Sequence, residues 1–97
     1  MAEIILDADG CARVDGDLIF STVTGLLQRA EECLSGRQTL IFDFAAVRNS
    51  DSSALALLLE LLDRSRSGGV TVTFRNIPAS LLDIARLSNV ESLLTTN

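Results

Sequence analysis

The sequence contains no histidine, lysine, tyrosine or tryptophan, and only one proline and two cysteines in 97 residues. Without histidine, lysine or tyrosine, carboxylates and two thiols are the only groups left for proton transfer. A serine nucleophile at Ser52 or Ser53 would need a base, and Asp51 stands beside them in sequence rather than across a cleft. The chain has no G-x-S-x-G elbow, no G-x-x-x-x-G-K-[ST] phosphate loop and no paired-cysteine metal spacing. We therefore expect a protein that is not an enzyme, with no cofactor and no metal. Length points the same way, because a chain this short forms one domain, 1–97, with no cleft between two.

Cationic charge is also scarce. Eight arginines face thirteen carboxylates, for a net charge of −5 and a pI near 4.4. Nucleic acid and anionic lipid headgroups both require a cationic footprint, so direct binding to either is disfavoured. Cys11 and Cys33 lie 22 positions apart with no C-x-x-C and no histidine to complete a metal set, and read as reduced core thiols. The longest nearly uninterrupted apolar run, Ala54 to Leu62, falls far short of the roughly 20 residues that span a bilayer. No basic-then-apolar leader opens the chain, which leads us to expect a cytoplasmic protein. Yet 47% of the residues are hydrophobic and the mean hydropathy is +0.35. High hydrophobicity without a membrane span implies a core plus an apolar patch that a partner covers.

The chain then reads in order. Glu3–Asp7 and Cys11–Asp15 are β-leaning runs around Asp9-Gly10, a hairpin turn signal, and form an antiparallel pair. Gly16-Asp17-Leu18 carries the chain out of the hairpin, and Ser21 or Thr22 caps a helix. That helix has Val23, Leu26, Leu27, Ala30 and Leu34 on one face and Gln28, Arg29, Glu31 and Glu32 on the other, with Gly36 just past its end. Thr39–Phe44 is apolar on both faces, as a central strand is when covered on both sides or flanked by parallel neighbours. A polar loop from Ala45 to Ser50 leads into a helix over 53–66, which Gly68-Gly69 ends. Val70–Phe74 alternates as a strand, Pro78 opens a last helix carrying Leu81, Ile84 and Ala85, and 90–97 reads as an irregular or strand-like end. The order β-β-α-β-α-β-α is an α/β arrangement, a mixed four-stranded sheet packed with helices, with crossovers placing the third and fourth strands parallel to a neighbour.

The informative stretch is the junction Ser50-Asp51-Ser52-Ser53 before the leucine-rich helix. Two accounts fit it. Asp and Ser are preferred where a helix start leaves backbone N–H groups unpaired, so the junction is a cap. The same geometry also presents a hydroxyl where the helix dipole tolerates an added phosphate, whose charge beside Asp51 would alter any docking surface there. In the helix itself, Leu55, Leu58, Leu59 and Leu62 share a core face. Leu57 and Leu61 fall off that face, either as an exposed apolar floor or because the helix is wedged between sheet and neighbouring helix.

Asp43-Phe44-Ala45-Ala46-Val47 followed by Asp51-Ser52-Ser53-Ala54-Leu55, a leucine-rich helix and Gly68-Gly69 resembles the signature of the STAS domain, and Gly16-Asp17-Leu18 is similar to its Gly-Glu-Leu-Asp segment. The resemblance covers nearly the whole chain and implies the STAS fold. Within the family, Ala54 to Leu59 and Ala85-Arg86-Leu87-Ser88-Asn89-Val90 look most like the small cytoplasmic subunit of ABC systems that move phospholipid between the membranes of Gram-negative bacteria. That likeness implies a non-catalytic subunit that binds the ATPase and supports its assembly and activity, peripheral to the inner membrane through that partner. It assigns partner binding to Asp51, Ser52, Ser53, Leu57 and Leu61, and makes Ser52, directly after the motif aspartate, the position of the family's regulatory hydroxyl. The alternative within the family is an anti-sigma-factor antagonist whose partner kinase phosphorylates Ser52. Ile19, where many members have Asp, and Ala54, where many have Gly, depart from features that such antagonists often keep.

Overall fold

The computed structural model describes residues 2–95. A hairpin opens the chain: β1 (Ala2–Leu6) pairs antiparallel with β2 (Cys11–Leu18). Gly10 takes φ +81°, a left-handed conformation open to glycine, and Asp7 Oδ1 accepts from the N–H groups of Asp9 (2.8 Å) and Cys11 (3.0 Å) to close the turn. α1 (Val23–Leu34) follows, then β3 (Thr39–Ser50), α2 (Ser52–Ser67), β4 (Thr71–Arg75) and α3 (Ala79–Leu87). The sheet order is β1-β2-β3-β4, with β3 parallel to both β2 and β4. Of the two explanations for a strand apolar on both faces, flanking by parallel neighbours is the one realised. The result is the expected α/β arrangement, a four-stranded mixed sheet with helices.

One face of the sheet makes the core. Ile4, Ala12, Val14, Leu18, Leu40, Phe42 and Phe44 are buried in a single cluster with Leu26, Ala30 and Cys33 of α1, Leu58 and Leu61 of α2, and Leu81 and Ala85 of α3. On the opposite face Arg13 and Arg75 are exposed, and Asp43 accepts from Arg75 Nη2 at 3.0 Å across β3 and β4. Neither cysteine is in a disulfide, and burial pushes the Cys33 thiol above its ordinary range, against the opposing pull of Arg29 and Arg37.

The structure corrects the sequence reading in three places. β2 does not end before Gly16, and the polar stretch Ala45–Ser50 is strand rather than loop: β3 continues against β2 as far as Leu18↔Ser50. The registers Arg13↔Asp43, Asp15↔Ala46 and Gly16↔Val47, Asp17↔Asn49 show β3 carrying an extra residue at each of two steps. Such bulges break the period-2 pattern that identifies a strand, which is why the segment looked like a loop. Asp43 Oδ1 accepts from the Ala45 N–H (2.9 Å) at the first of them, replacing a lost ladder bond. The second correction is the end of the chain, where Glu91–Thr95 forms a short helix, α4, with Leu94 buried; Thr96 and Asn97 lie outside the described residues.

The third correction concerns α2. Its buried residues are Ala54, Leu55, Leu57, Leu58, Leu61 and Ser65, whereas Leu59 and Leu62 are only half-buried. Leu57 is 6% exposed and Leu61 1%, so the pair is no exposed floor. The helix packs against α1 and α3 as well as the sheet, and this surround buries apolar residues over a wide arc. Arg64 of α2 pairs with Glu31 of α1 and with Glu60 (2.9 Å), fastening the outer edge of the α1–α2 seam. Leu61→Ala should therefore cost about 2–5 kcal/mol in urea unfolding. Truncation of the exposed Leu87 should change stability by less than about 0.5 kcal/mol.

Candidate protein-docking site

The site is built where β2 and β3 end together. Because β3 keeps its register to Ser50, the Asp51 N–H donates to Leu18 O at 3.2 Å and the two strands release the chain side by side. Asp51 is extended (φ −128°, ψ −171°) and is the N-cap of α2. Its Oδ1 accepts from the Ser53 N–H at 2.8 Å, which is the capping bond. Its Oδ2 accepts from the Phe20 N–H at 3.2 Å, reaching across to the turn between β2 and α1. Partial burial alone would raise the Asp51 carboxyl. The N–H groups of Ser53 and Phe20, the Ser53 hydroxyl and the Ala54 N–H together outweigh it and hold the group below the ordinary carboxylate range.

With Asp51 acting as cap, the neighbouring hydroxyls separate into different roles. Ser53 is half-buried and turned toward the Asp51 carboxylate. Ser52 is exposed on the first turn of α2, and among the described residues its hydroxyl has no protein hydrogen-bond partner. Ser50 Oγ lies 3.3 Å from Ser80 Oγ, which brings the first turn of α3 alongside. Asp17 Oδ1 accepts from Asn49 Nδ2 at 3.0 Å, linking the two strand ends once more.

Beside this junction, Phe20, Val23, Thr24, Leu27, Ser53, Ala56, Leu57 and Glu60 line an open depression of about 330 Å³ along the α1–α2 seam. Of the expected site residues, Ser53 and Leu57 line the depression, Leu57 despite being buried; Asp51 and Ser52 precede Ser53 at the start of α2 without lining it, and Leu61 is buried in the core. Sequence reasoning missed Phe20, whose side chain is 81% exposed. The available signal was an aromatic residue in the short connection after β2 ends at Leu18 and before α1 begins at Val23, outside the buried face of either element. Thr22 is the N-cap residue of α1, one of the two positions expected, but its side chain makes no capping bond. Its hydroxyl donates to Asp17 O (2.7 Å) and accepts from the Ile19 N–H (3.1 Å), bracing that turn instead.

Among the described residues no helix is long and apolar enough to cross a membrane, and no group of three or more His, Cys, Asp or Glu could hold a metal ion. What the fold and site define is a small α/β domain whose distinctive surface is a capped strand-to-helix junction. The chain belongs to the STAS domain family, whose model matches residues 2–97. Its fold is similar to that of the anti-sigma factor antagonist SpoIIAA in its unphosphorylated form, at 13% identity and TM-score 0.67, over 90% of this chain and 83% of that one. It is also similar to a chain in the structure of the diguanylate cyclase SiaD in complex with its activator SiaC from Pseudomonas aeruginosa, at 18% identity and TM-score 0.59, over 99% of this chain and 86% of that one. A chain of Mglu matches at 20% identity and TM-score 0.63, over 79% of this chain but only 19% of that much longer one. No curated protein sequence matches the chain significantly. At these identities the structural likenesses establish the fold.

Two carboxylates brace β3, Asp43 within the strand at its first bulge and Asp51 just past its end. Asp43, like Asp51, is held below the ordinary range: burial would raise it, but bonds from Asn76 (3.0 Å), the Ala45 N–H and Arg75 prevail. A carboxylate whose folded pKa is depressed adds stability that is fully present above its unfolded value of about 3.9 and is lost as pH falls through the folded value. Asp43→Asn should thus lower the melting temperature at neutral pH. The difference from wild type should shrink through acid titration below about pH 4, as calorimetry across that range will read.

Proposed function

We propose that this chain is a non-catalytic accessory subunit, similar to MlaB, that binds the ATPase of a phospholipid-transporting ABC complex. In that role it would support the assembly and activity of a system maintaining outer-membrane lipid asymmetry, peripheral to the inner membrane through its partner. The observation that carries the reading is the division of labour at the junction. Asp51 supplies the cap, which leaves the exposed Ser52 hydroxyl and the adjoining apolar depression free for recognition. STAS domains are typically non-catalytic regulatory proteins, and this site adds no base or nucleophile pair to that background. Ile19 and Ala54, which depart from what kinase-regulated antagonists often keep, favour the transporter branch.

A second reading has its own support. The likeness to SpoIIAA, an anti-sigma factor antagonist, spans 90% of the chain, and Ser52 is the exposed hydroxyl next to the motif aspartate. In this reading a kinase partner modifies Ser52 and the added charge ejects it.

Binding to a purified ATPase subunit tests the first reading. Ser52→Arg and Ala56→Arg should each weaken capture at least about tenfold while circular dichroism stays unchanged. Unchanged capture by both would overturn it. Incubation with an anti-sigma kinase and ATP tests the second: a species heavier by about 80 Da in intact-mass measurement, lost in Ser52→Ala, would favour the antagonist.

A further inference from the structure

Phe20 is exposed for a structural reason. The turn that carries it is braced at both ends, by the Thr22 hydroxyl bonded to Asp17 O and the Ile19 N–H, and by Asp51 Oδ2 accepting from the Phe20 N–H. The Thr22 N–H also donates to Ile19 O at 2.9 Å, closing the turn. A phenyl ring on a slack turn would collapse onto the nearby Val23 and Leu27, because apolar surface leaves water when nothing prevents it. Here it stands 81% exposed at the lip of the depression. Exposed aromatic residues seated beside an apolar groove are the residues that dominate protein association when a partner covers them.

We propose that Phe20 is the apolar anchor of the docking surface, and that Asp51 is a positioning residue acting through it, holding the turn so that the ring enters an apolar pocket on the partner. The inference deepens the function proposed above and rests on it for the partner's identity. Charge defines the partner's chemistry further. The depression is lined by Glu60 and by no arginine, and Glu60 and Glu31 share the single cation Arg64. The Asp51 carboxylate is met only by N–H and hydroxyl donors. With a chain net charge of −5 and no lysine, the pocket that receives Phe20 belongs to a protein surface rimmed by basic side chains.

The carboxylate's two oxygens permit a clean separation. Asn is as good an N-cap as Asp, so Asp51→Asn keeps its one acceptor oxygen on the Ser53 N–H and leaves the Phe20 N–H without a partner. In the isolated protein, Asp51→Asn should melt lower at neutral pH, where it lacks the carboxylate that the fold holds ionised, yet keep the wild-type circular dichroism spectrum. Its Phe20 amide should nonetheless exchange with solvent about tenfold faster or more, with α1 amides unchanged. Unchanged exchange at Phe20 would overturn the positioning role. With the ATPase subunit as probe, or the anti-sigma kinase if that is the one captured, Phe20→Ala should cost at least about thirtyfold in affinity. Asp51→Asn should cost less, and the double variant no more than Phe20→Ala alone; Leu87→Ala, equally exposed elsewhere, should cost nothing. Additive losses would mean that Asp51 touches the partner itself, and wild-type affinity in Phe20→Ala would overturn the anchor. If wild type captures neither probe, the proposed function falls, while the exchange result still decides whether Asp51 holds the turn.

Discussion

The pairing of β2 with β3 runs from Cys11↔Ile41 to Leu18↔Ser50, with β3 spending two more residues than its partner over that length. Bulges absorb the difference, and both strands consequently end at the same level. That alignment places Asp51 within reach of two elements at once, one oxygen on the start of α2 and the other on the turn before α1. Had β3 stopped at Phe44, where its hydrophobic pattern stops, a flexible loop would have led into α2. The carboxylate would then have no fixed relation to Phe20. Strand length, helix cap and turn geometry are one constraint at this end of the molecule.

A second consequence concerns α2. Delivered from the centre of the sheet, the helix must pack against the strands below it and against α1 beside it, which demands apolar residues over a wide arc. Leu55, Leu57, Leu58 and Leu61 meet that demand. A helix so occupied cannot also offer a broad leucine face to a partner. The apolar surface left open therefore lies along the seam itself, where Leu27, Ala56 and Phe20 line the depression.

Much of the architecture is legible in the sequence because it follows from local rules. Asp9-Gly10 announces the hairpin, Val23 to Leu34 repeats at three and four, Gly36 (φ +73°) and Gly68-Gly69 stop their helices, and Pro78 opens α3. The parts that were not legible depend on contacts distant in sequence. Ala45–Ser50 is strand only because β2 is there to pair with it, and its bulges erase the alternation that would reveal it. The short α4 is held by the burial of Leu94 rather than by its own helix-forming tendency, since isolated helices of that length are unstable in water. The phase of α2 is ambiguous in sequence: leucines at 55, 57, 58, 59, 61 and 62 cover more than half of the helix circumference, and its neighbours α1 and α3 together with the sheet decide which of them are buried.

At the site, sequence located the junction but could not choose between cap and recognition surface, because Asp51, Ser52 and Ser53 are all competent caps. The geometry divides the tasks. A helix N-terminus needs its first N–H groups satisfied, and Asp51 does this with one oxygen while Ser53 turns inward to it. Ser52 is then left without structural duty, exposed at the positive end of the α2 dipole and adjacent to a carboxylate already held ionised by its donors. A charge added to that hydroxyl would break no internal bond among the described residues, although the ionised Asp51 carboxylate beside it would oppose a negative one. It would still change the field across the lip where Phe20 stands. Freedom from a structural role is what leaves the Ser52 hydroxyl open to solvent, and here that freedom comes from the aspartate beside it.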